Sequence, residues 1–369
     1  PLVDALAAYY GVRPEQIFVG VGSDDVISMA FMTFFNSEKP ILFPDLTYSF
    51  YDVWADLYGI PYRTPGLDEK FRLKKEDYLT ENGGIIFPNP NAPTGLMEDL
   101  DTIEEIVAKN PDSVVIVDEA YVDFGGVSAL PLVDKYENLL VVQTFSKSRA
   151  LAGMRIGFAI GQKKLISYLN DVKFSFNSYT MNRLTIACGK ACVEDRAYFQ
   201  EITGKIVATR EWTKQKLTEL GFTFPDSKAN FIFAAHKTVP AQELFENLKA
   251  AGIYLRYFKK PRIDNYLRIT VGTQAEMERL VDWLPAHIPA AGLWNLFLPV
   301  DSAHASGYSG AGLTNQEYAP LAEITGRSHI GPEAVNCAAP DTGNMEVLSQ
   351  FGTPEQQDAW LKPLLEGQI

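Results

Sequence analysis

Five short apolar runs in the first 150 residues constrain the fold more than any other feature of the chain. They are rich in β-branched residues, they do not alternate apolar with polar positions, and stretches with helical spacing separate them. Such runs are typical of strands buried on both faces, as in a parallel sheet covered by helices. The runs are QIFVGVG (16–22), PILFPD (40–45), GGIIFPNP (83–90), SVVIVDEAY (113–121) and NLLVVQTFSK (138–147). The pattern predicts an α/β domain with a mainly parallel sheet.

The pattern changes twice along the chain, and we therefore predict three domains. Residues 1–165 form the α/β domain, whereas residues 166–288 combine helical patterns with strand runs such as IYLRYF and YLRITVG, which indicates a smaller α+β domain. Residues 289–369 contain a loop-rich stretch, two amphipathic helical patterns, and nine acidic but two basic side chains. This last part is predicted to be a helical segment.

Composition restricts the kind of partner. The net charge of −13 disfavours nucleic acid and anionic membranes, which bind through clustered Lys and Arg. No apolar run reaches the roughly 18 residues of a membrane span, and the first residues lack the basic segment of a signal peptide, so we predict a cytoplasmic protein. Three cysteines and four scattered histidines have no metal-binding spacing. We expect a small-molecule partner and no metal.

The polar residues that follow the predicted strands are candidates for a binding site, because ligands of such sheets bind at the carboxyl ends of the strands. In FVGVGSDDVISMAF a glycine turn joins a strand to a helix, so the amides of Ser23 and Asp24 could bind a phosphate. A simple Ser or Asp helix cap explains the same residues. Asp118 ends a fully apolar strand, where a carboxylate requires a cation or a strong donor; a turn-capping Asp is the alternative.

Lys147 follows the last apolar run between two serines, and Arg155 lies eight residues further on. An amine can form a Schiff base with a carbonyl group, and the hydroxyl and guanidinium groups of Thr144, Ser146 and Arg155 are donors that suit a phosphate. A ligand with both an aldehyde and a phosphate would use all of these groups. Pyridoxal 5′-phosphate is such a ligand, and Asp118 would then face its ring nitrogen.

Three further residues complete the predicted cofactor site. Tyr121 could hydrogen-bond the phenolic oxygen of the ring, and Tyr48 in FPDLTYSFY could stack on the ring face, although a Tyr at a strand end is more often simply packed. Asn91 lies in FPNPNAPTG, a rigid loop that can contain a cis X-Pro bond. At the carboxyl edge of a sheet, its side chain could reach a ligand.

These motifs resemble the fold-type I pyridoxal-phosphate aminotransferases, and among them the histidinol-phosphate aminotransferases. The resemblance covers roughly residues 1–288, in GSDD, PNAPTG, VDEAYVDF, TFSKSRALAGMRIGF and LRITVGT. It implies that Lys147 binds the cofactor covalently and transfers protons, that Asp118 binds the ring nitrogen and that Tyr121 binds the phenolic oxygen. The phosphate site that it implies consists of Ser23, Asp24, Thr144, Ser146 and Arg155.

The resemblance also implies a substrate site and a reaction. Arg268 in YLRITVG would bind the α-carboxylate of glutamate, and Arg256 in YLRYF the phosphate of histidinol phosphate; both could instead be surface charges of edge strands. The implied reaction transfers an amino group between glutamate and imidazole-acetol phosphate in histidine biosynthesis, catalysed by a homodimer. Aromatic amino acid transamination and a catalytically impaired chain are the alternatives.

Three features depart from the family pattern. Ala92 stands where the family usually has Asn immediately before the PTG proline, so Asn91 could take its place. The family's N-terminal arm, with a tyrosine that reaches the neighbouring subunit's cofactor phosphate, is expected to be missing. Residues 289–369 resemble the N-terminal helical domain of acyl-CoA dehydrogenases, in GLWNLFLP, EYAPLAEITGR and NCAAPDTGNMEVLSQFGTPEQQDAWLKPLLEG. In that family the flavin-contacting strand lies further on, so no complete FAD site is expected.

Overall fold

The computed structural model describes residues 1–286, 297–298, 313–325, 336–337 and 341–366. The chain divides into two compact units. The first consists of Pro1–Thr218 and Phe222–Met277, and the second of Glu219–Gly221 and the described residues from Glu278 onwards. The predicted domain boundaries after residues 165 and 288 stay predictions.

A seven-stranded sheet forms the centre of the first unit. Its strands are β1 (Ile17–Gly20), β2 (Ile41–Leu42), β3 (Tyr62–Arg63), β4 (Ile85–Pro88), β5 (Val115–Asp118), β6 (Leu139–Thr144) and β7 (Gly157–Gly161). Their spatial order is β1-β7-β6-β5-β4-β2-β3. The pairs among β2 to β6 are parallel, whereas β7 is antiparallel to both β1 and β6. The predicted α/β fold with a mainly parallel sheet is confirmed.

Helices cover both faces of this sheet, which is why its central strands are apolar at successive positions up to their polar carboxyl ends. Side chains such as Ile86, Ile116 and Leu140 belong to one buried cluster, which also contains residues of three helices. Their neighbours along the strands, such as Val117 and Val141, belong to a second cluster on the opposite face, with residues of three other helices. The helices of the first face are α2 (Ser23–Phe34), α3 (Tyr51–Tyr58) and α5 (Lys163–Phe176), and those of the second are α1 (Leu2–Tyr10), α4 (Leu100–Lys109) and α6 (Arg183–Glu194).

The apolar pattern predicts five of the seven strands and misses β3 and β7. β3 has two residues, both exposed, so it has no apolar run. β7 reads GFAIG and is buried throughout, but glycine at both ends lowers its intrinsic strand preference. The antiparallel direction of β7 places its first residue, Gly157, opposite both Gly20 at the end of β1 and Thr144 at the end of β6.

The rest of the first unit contains helices and a smaller antiparallel sheet, as the predicted α+β pattern requires. The strands are β8 (Phe222–Thr223), β9 (Phe231–His236), β10 (Arg256–Tyr257) and β11 (Leu267–Thr270), in the order β10-β11-β9-β8. The helices are α6 (Arg183–Glu194), α7 (Arg196–Glu219), α8 (Ala241–Ala250) and α9 (Gln274–Trp283), the last of which continues into the second unit. Arg256 lies directly opposite Arg268 across β10 and β11.

The described part of the second unit is helical, as predicted. Its helices are α10 (Asn315–Thr325), α11 (Asp341–Phe351) and a last helical stretch formed by Pro354–Gln356, Gln357–Leu361 and Lys362–Leu365. Phe297, Leu298, Met345, Leu361 and Leu365 form its buried cluster. Most of the predicted loop-rich stretch after Pro289 lies outside the described residues.

None of the described helices is both long and apolar enough to cross a membrane. The predicted cytoplasmic location and the predicted lack of nucleic-acid and membrane partners stay predictions.

Candidate active site

The sheet brings the polar residues that follow its strands to one edge. In the parallel register Pro88 at the end of β4 is opposite Asp118 at the end of β5, and β6 ends two residues beyond the partner of Asp118, at Thr144. Because β7 is antiparallel, the residues that precede Gly157 lie at this same edge. Residues that are distant in the sequence therefore surround one space.

A cavity of about 180 Å³ lies at this edge. Ala92 and Ala120 contribute to its wall, together with nine residues that the sequence predicts for a cofactor site. Those nine are Ser23, Asp24, Tyr48, Asp118, Tyr121, Thr144, Ser146, Lys147 and Arg155. Lys147 and Asp118 thus face the same cavity.

One end of the cavity is formed by backbone at the start of α2. A Cβ atom at Gly157 would overlap the peptide group between Gly22 and Ser23, so only glycine allows β7 to begin so close to this turn. Gly22 itself has φ +94°, and a Cβ atom there would overlap the Arg155 guanidinium. We call Gly22, Ser23 and Asp24 the backbone cup. The N–H groups of Ser23 and Asp24 belong to the first turn of α2, where a helix has no internal acceptors for them.

Side-chain donors stand beside the backbone cup. Arg155 Nη1 donates to Ser146 Oγ at 3.4 Å, and Arg155 Nη2 lies 3.6 Å from Asp24 Oδ2. The hydroxyl of Tyr48 donates to the other oxygen of Asp24 at 3.1 Å. Thr144 Oγ1 accepts from the Ser146 amide at 3.1 Å, which fixes the turn that follows β6. The arrangement combines one guanidinium, several hydroxyls and backbone amides, which is the donor set of a phosphate site.

Asp118 is buried at the other end of the cavity. Its Oδ2 accepts a hydrogen bond of 2.8 Å from the hydroxyl of Tyr51, and its Oδ1 accepts one of 3.2 Å from the Ala120 amide. Burial raises the pKa of Asp118 to about 6, although these two donors and the Lys147 charge oppose that rise. The strong donor that the sequence requires for this carboxylate is therefore a tyrosine.

Tyr51 is the residue that the sequence reasoning misses. It is the first residue of α3, three positions after Tyr48, and its side chain is fully buried. A buried tyrosine needs an acceptor for its O–H, so a tyrosine on the buried face of α3 is a signal for a buried polar partner. Tyr51 and Asp118 are 67 positions apart in the sequence, so no local pattern pairs the two.

Lys147 is exposed at the cavity, and within the described residues its Nζ makes neither a hydrogen bond nor an ion pair. Its Nζ lies 5.5 Å from the ring centroid of Tyr121. The Tyr121 ring in turn packs edge-on against Phe231 of the small sheet, with 5.1 Å between centroids. The amine is therefore available to a ligand in the cavity.

Asn91 is the predicted cofactor residue that does not line this cavity. Its Nδ2 donates to the Leu46 carbonyl at 3.1 Å and to Thr94 Oγ1 at 3.0 Å, whereas its buried Oδ1 has no hydrogen-bond partner. From this stretch, Pro88 and Ala92 line the cavity instead. The loop contains cis bonds at Asn89–Pro90 and Ala92–Pro93, so the cis X-Pro expectation is confirmed. The role of Asn91 in cofactor binding stays a prediction.

The two predicted substrate arginines line a second, larger cavity of about 660 Å³. Tyr48 and Ala92 belong to the walls of both cavities, so the two spaces adjoin. In the described part of the chain, neither Arg256 nor Arg268 has an acidic ion-pair partner, and Arg268 Nε is buried without a hydrogen-bond partner. Burial, with a smaller effect of the neighbouring Arg256 charge, lowers the pKa of Arg268. Two unneutralised cations at adjacent strand positions suit an anionic ligand.

Comparison with protein families agrees with this geometry. The family model for aminotransferases of class I and II matches residues 2–284. The chain belongs to this family. A second model, for the N-terminal domain of acyl-CoA dehydrogenases, matches residues 288–368. Both resemblances that the sequence motifs indicate are thereby confirmed.

Several curated relatives are histidinol-phosphate aminotransferases. Those of Hydrogenovibrio crunogenus and Lactococcus lactis are 54% and 50% identical to this aminotransferase. The first alignment covers 76% of this chain and 78% of the relative, and the second covers 77% and 79%.

Solved structures show the same fold. A putative histidinol-phosphate aminotransferase from Erwinia carotovora atroseptica aligns with a TM-score of 0.71 and 27% identity, over 77% of this chain and 84% of that one. The Sinorhizobium meliloti enzyme, solved in complex with pyridoxal-5′-phosphate, aligns with a TM-score of 0.71 and 23% identity, over 78% and 80% of the two chains. The predicted fold-type I architecture is therefore confirmed.

Asp118→Asn is expected to stabilise the cofactor-free chain at pH 8. Because burial raises the pKa of Asp118 from its ordinary value of 3.8 to about 6, the folded chain holds this proton more tightly than the unfolded chain. Ionisation of Asp118 therefore costs stability as the pH rises through 6, up to about 3 kcal/mol, and the neutral amide avoids this cost. The gain should vanish below about pH 4.

Denaturant unfolding of both proteins between pH 4 and 8 measures this difference. The exposed Asp101 on α4 provides the control, since Asp101→Asn should produce no comparable pH-dependent gain. A constant difference between wild type and Asp118→Asn at every pH would contradict the expectation.

Proposed function

We propose that this chain is a pyridoxal 5′-phosphate-dependent aminotransferase that transfers an amino group between glutamate and imidazole-acetol phosphate, or in reverse from histidinol phosphate to 2-oxoglutarate. The observation that carries the proposal is one cavity with an unpaired amine, a buried carboxylate and a set of phosphate donors. Relatives of about 50% identity with this printed activity support the choice of substrate. The reaction belongs to histidine biosynthesis.

The residues present fit the cofactor at its phosphate end. Ser23 and Asp24 line the cavity at the start of α2, where their N–H groups have no acceptors within the helix and could bind a phosphate. Arg155, which now lies near the Asp24 carboxylate, would pair with the phosphate charge, and Ser146 and Thr144 would supply hydroxyl donors. These contacts would fix the cofactor's position without taking part in bond making.

The residues also fit the cofactor at its ring end. When bound, the cofactor supplies a conjugated ring that accepts the electron pair released as the substrate Cα–H bond breaks. The carboxylate of Asp118 would hold a proton on the ring nitrogen, Tyr121 would donate to the phenolic oxygen, and Tyr48 would pack on the ring face. Asn91 is proposed as an additional contact from the PNAPTG loop.

Lys147 is the proposed catalytic residue. Its amine, which has no partner among the described residues, can bind the cofactor's aldehyde carbon covalently. As a free amine, Lys147 would also be placed to take the proton from the substrate Cα and to return it at the cofactor's aldehyde end. One group at a fixed place would thus serve both as anchor and as general base.

Lys147→Ala is expected to abolish transamination and the visible absorbance of bound cofactor, because it removes both the covalent anchor and the base. Loss of a general base alone costs roughly 10² to 10⁴ in rate. Absorbance spectra after dialysis and single-turnover rates with glutamate measure the two effects. Lys164→Ala, at an exposed position on α5, is the control. A Lys147→Ala protein that retains both properties would refute the proposal.

Arg268 and Arg256 are proposed to bind the two anionic substrates. A guanidinium offers paired N–H donors to a carboxylate, so Arg268 suits the α-carboxylate of glutamate, and the adjacent Arg256 suits the phosphate of histidinol phosphate. The register that places these residues opposite each other concentrates two positive charges in the larger cavity. One pocket can then accept a carboxylate substrate and a phosphate substrate in turn.

Arg256→Ala is expected to raise KM for histidinol phosphate by about tenfold or more, with a smaller effect on KM for glutamate, because a charge-assisted hydrogen bond contributes about 1.5–3 kcal/mol. Arg268→Ala should affect glutamate more strongly. Steady-state kinetics of each variant with both substrates, and with phenylalanine as a substrate that has no phosphate, measure the pattern. Equal effects of both variants on every substrate would exclude these assignments.

We also propose that the chain forms a homodimer. Phe174, Phe176 and Tyr179, at the end of α5 and in the loop that follows, are 61%, 74% and 95% exposed. A cluster of exposed aromatic side chains is typical of a protein interface. In sedimentation velocity we expect twice the mass of the chain and a shift to monomer in Phe176→Asp. Phe351→Asp, equally exposed but in the second unit, should leave the dimer intact; a monomeric wild type would contradict the proposal.

A further inference from the structure

Tyr51 makes the one side-chain hydrogen bond to Asp118 within the described residues. Its hydroxyl donates to Oδ2 at 2.8 Å, and the exposed fraction of Tyr51 is 0%. The other carboxylate oxygen is held by backbone, through the Ala120 amide at 3.2 Å. Tyr51 does not line the cavity, so it would act on a ligand there through Asp118.

The position of the Tyr51 hydroxyl is fixed by the rings around it. Phe43, Tyr48 and Trp54 lie with their ring centroids 5.9, 5.7 and 6.4 Å from that of Tyr51. Phe43 and Tyr48 meet it edge-on, an arrangement that aromatic pairs favour. With its ring held on several sides, the hydroxyl points at one carboxylate oxygen and fixes the plane of that carboxylate.

We propose that Tyr51 is a positioning residue that orients the Asp118 carboxylate and favours its ionised form. The proposal rests on the proposed function only where it assigns Asp118 to the cofactor's ring nitrogen. A buried carboxylate without such a donor would take up a proton at neutral pH, and a neutral acid would no longer attract the ring's proton. Tyr51 would thus keep the ring partner charged.

The other groups that face Asp118 do not replace this donor. Asp24 and Tyr48 stand across the cavity, and the Asp24 charge raises the pKa of Asp118, whereas the Lys147 charge lowers it. In the proposed mechanism the charge of Lys147 would change, because its amine would take up and release a proton, and Asp24 is near Arg155 rather than Asp118. The Tyr51 hydroxyl is therefore the side-chain interaction that persists through the reaction.

The first experiment uses the cofactor-free chain. The pH midpoint of the Asp118 carboxyl is measured by carbon-13 NMR of protein labelled at aspartate carboxyls, with Asp118→Asn to assign the signal. In Tyr51→Phe the midpoint should move up by about one, since a donor to the charged form is lost. Tyr58→Phe, on the same helix, removes a hydroxyl that bonds Ser28 at 2.6 Å and should leave the midpoint unchanged. An unchanged midpoint in Tyr51→Phe would overturn the proposal.

A second substitution covers the case in which Tyr51→Phe does not fold, which circular dichroism would reveal. 3-Fluorotyrosine placed at position 51 keeps the ring in its packing and makes the hydroxyl a stronger donor. It should move the Asp118 midpoint down, in the opposite direction to phenylalanine. A midpoint equal to that of the wild type would again overturn the proposal.

The second experiment measures the affinity for pyridoxal 5′-phosphate between pH 6 and 9. The Tyr51→Phe protein should bind more weakly than wild type by about fivefold at pH 6 and about twofold at pH 7, with the difference vanishing toward pH 9, where Asp118 is ionised in both proteins. An equal loss at every pH would mean that Tyr51 acts by packing alone, against the proposal. If the wild type does not bind the cofactor, the proposed function fails, while the NMR midpoints still decide whether Tyr51 controls Asp118.

Discussion

Parallel strands end at a common edge, and this constraint organises the chemistry of the first unit. β4, β5 and β6 carry Pro88, Asp118 and Thr144 to that edge, and the antiparallel β7 starts there, so that the residues before it arrive at the same place. Asp118 and Thr144 are therefore held by backbone hydrogen bonds of the sheet, whereas Ser146, Lys147 and Arg155 lie in the segment that joins β6 to β7.

Much of this arrangement follows from the sequence because it depends on local patterns. Apolar runs identify the buried strands, and the residue after each run is bound to lie at the sheet's edge, which is how Asp118, Thr144 and Lys147 could be selected. The bond between Tyr51 and Asp118 could not be read this way, since it depends on how α3 packs against β5. The same holds for Asn91 and Ala92, because alternation along an irregular loop does not reveal which side chain faces the cavity. β7 could not be predicted because it begins and ends with glycine. The first of these, Gly157, is needed for close packing against the Gly22–Ser23 peptide.

Two like charges lie opposite each other in the small sheet, and this pairing has a cost. Cross-strand residues with the same charge repel each other, and Arg268 is also partly withdrawn from water without an acidic partner. In the proposed function, an anionic substrate bound by the two guanidinium groups would offset this cost. The small sheet would then contribute to substrate selectivity, whereas the large sheet positions the proposed cofactor site.

The contact of Gly157 with the Gly22–Ser23 peptide has a consequence for how this protein can change. The backbone cup offers main-chain N–H groups, which every residue except proline has. We therefore expect its shape to tolerate most substitutions of the side chains nearby. At Gly157, by contrast, an added methyl group would collide with the Gly22–Ser23 peptide, and Gly22 has a positive φ that other residues rarely adopt. Side chains on the substrate side of the pocket are therefore expected to tolerate substitution, whereas Gly22 and Gly157 are expected to stay glycine.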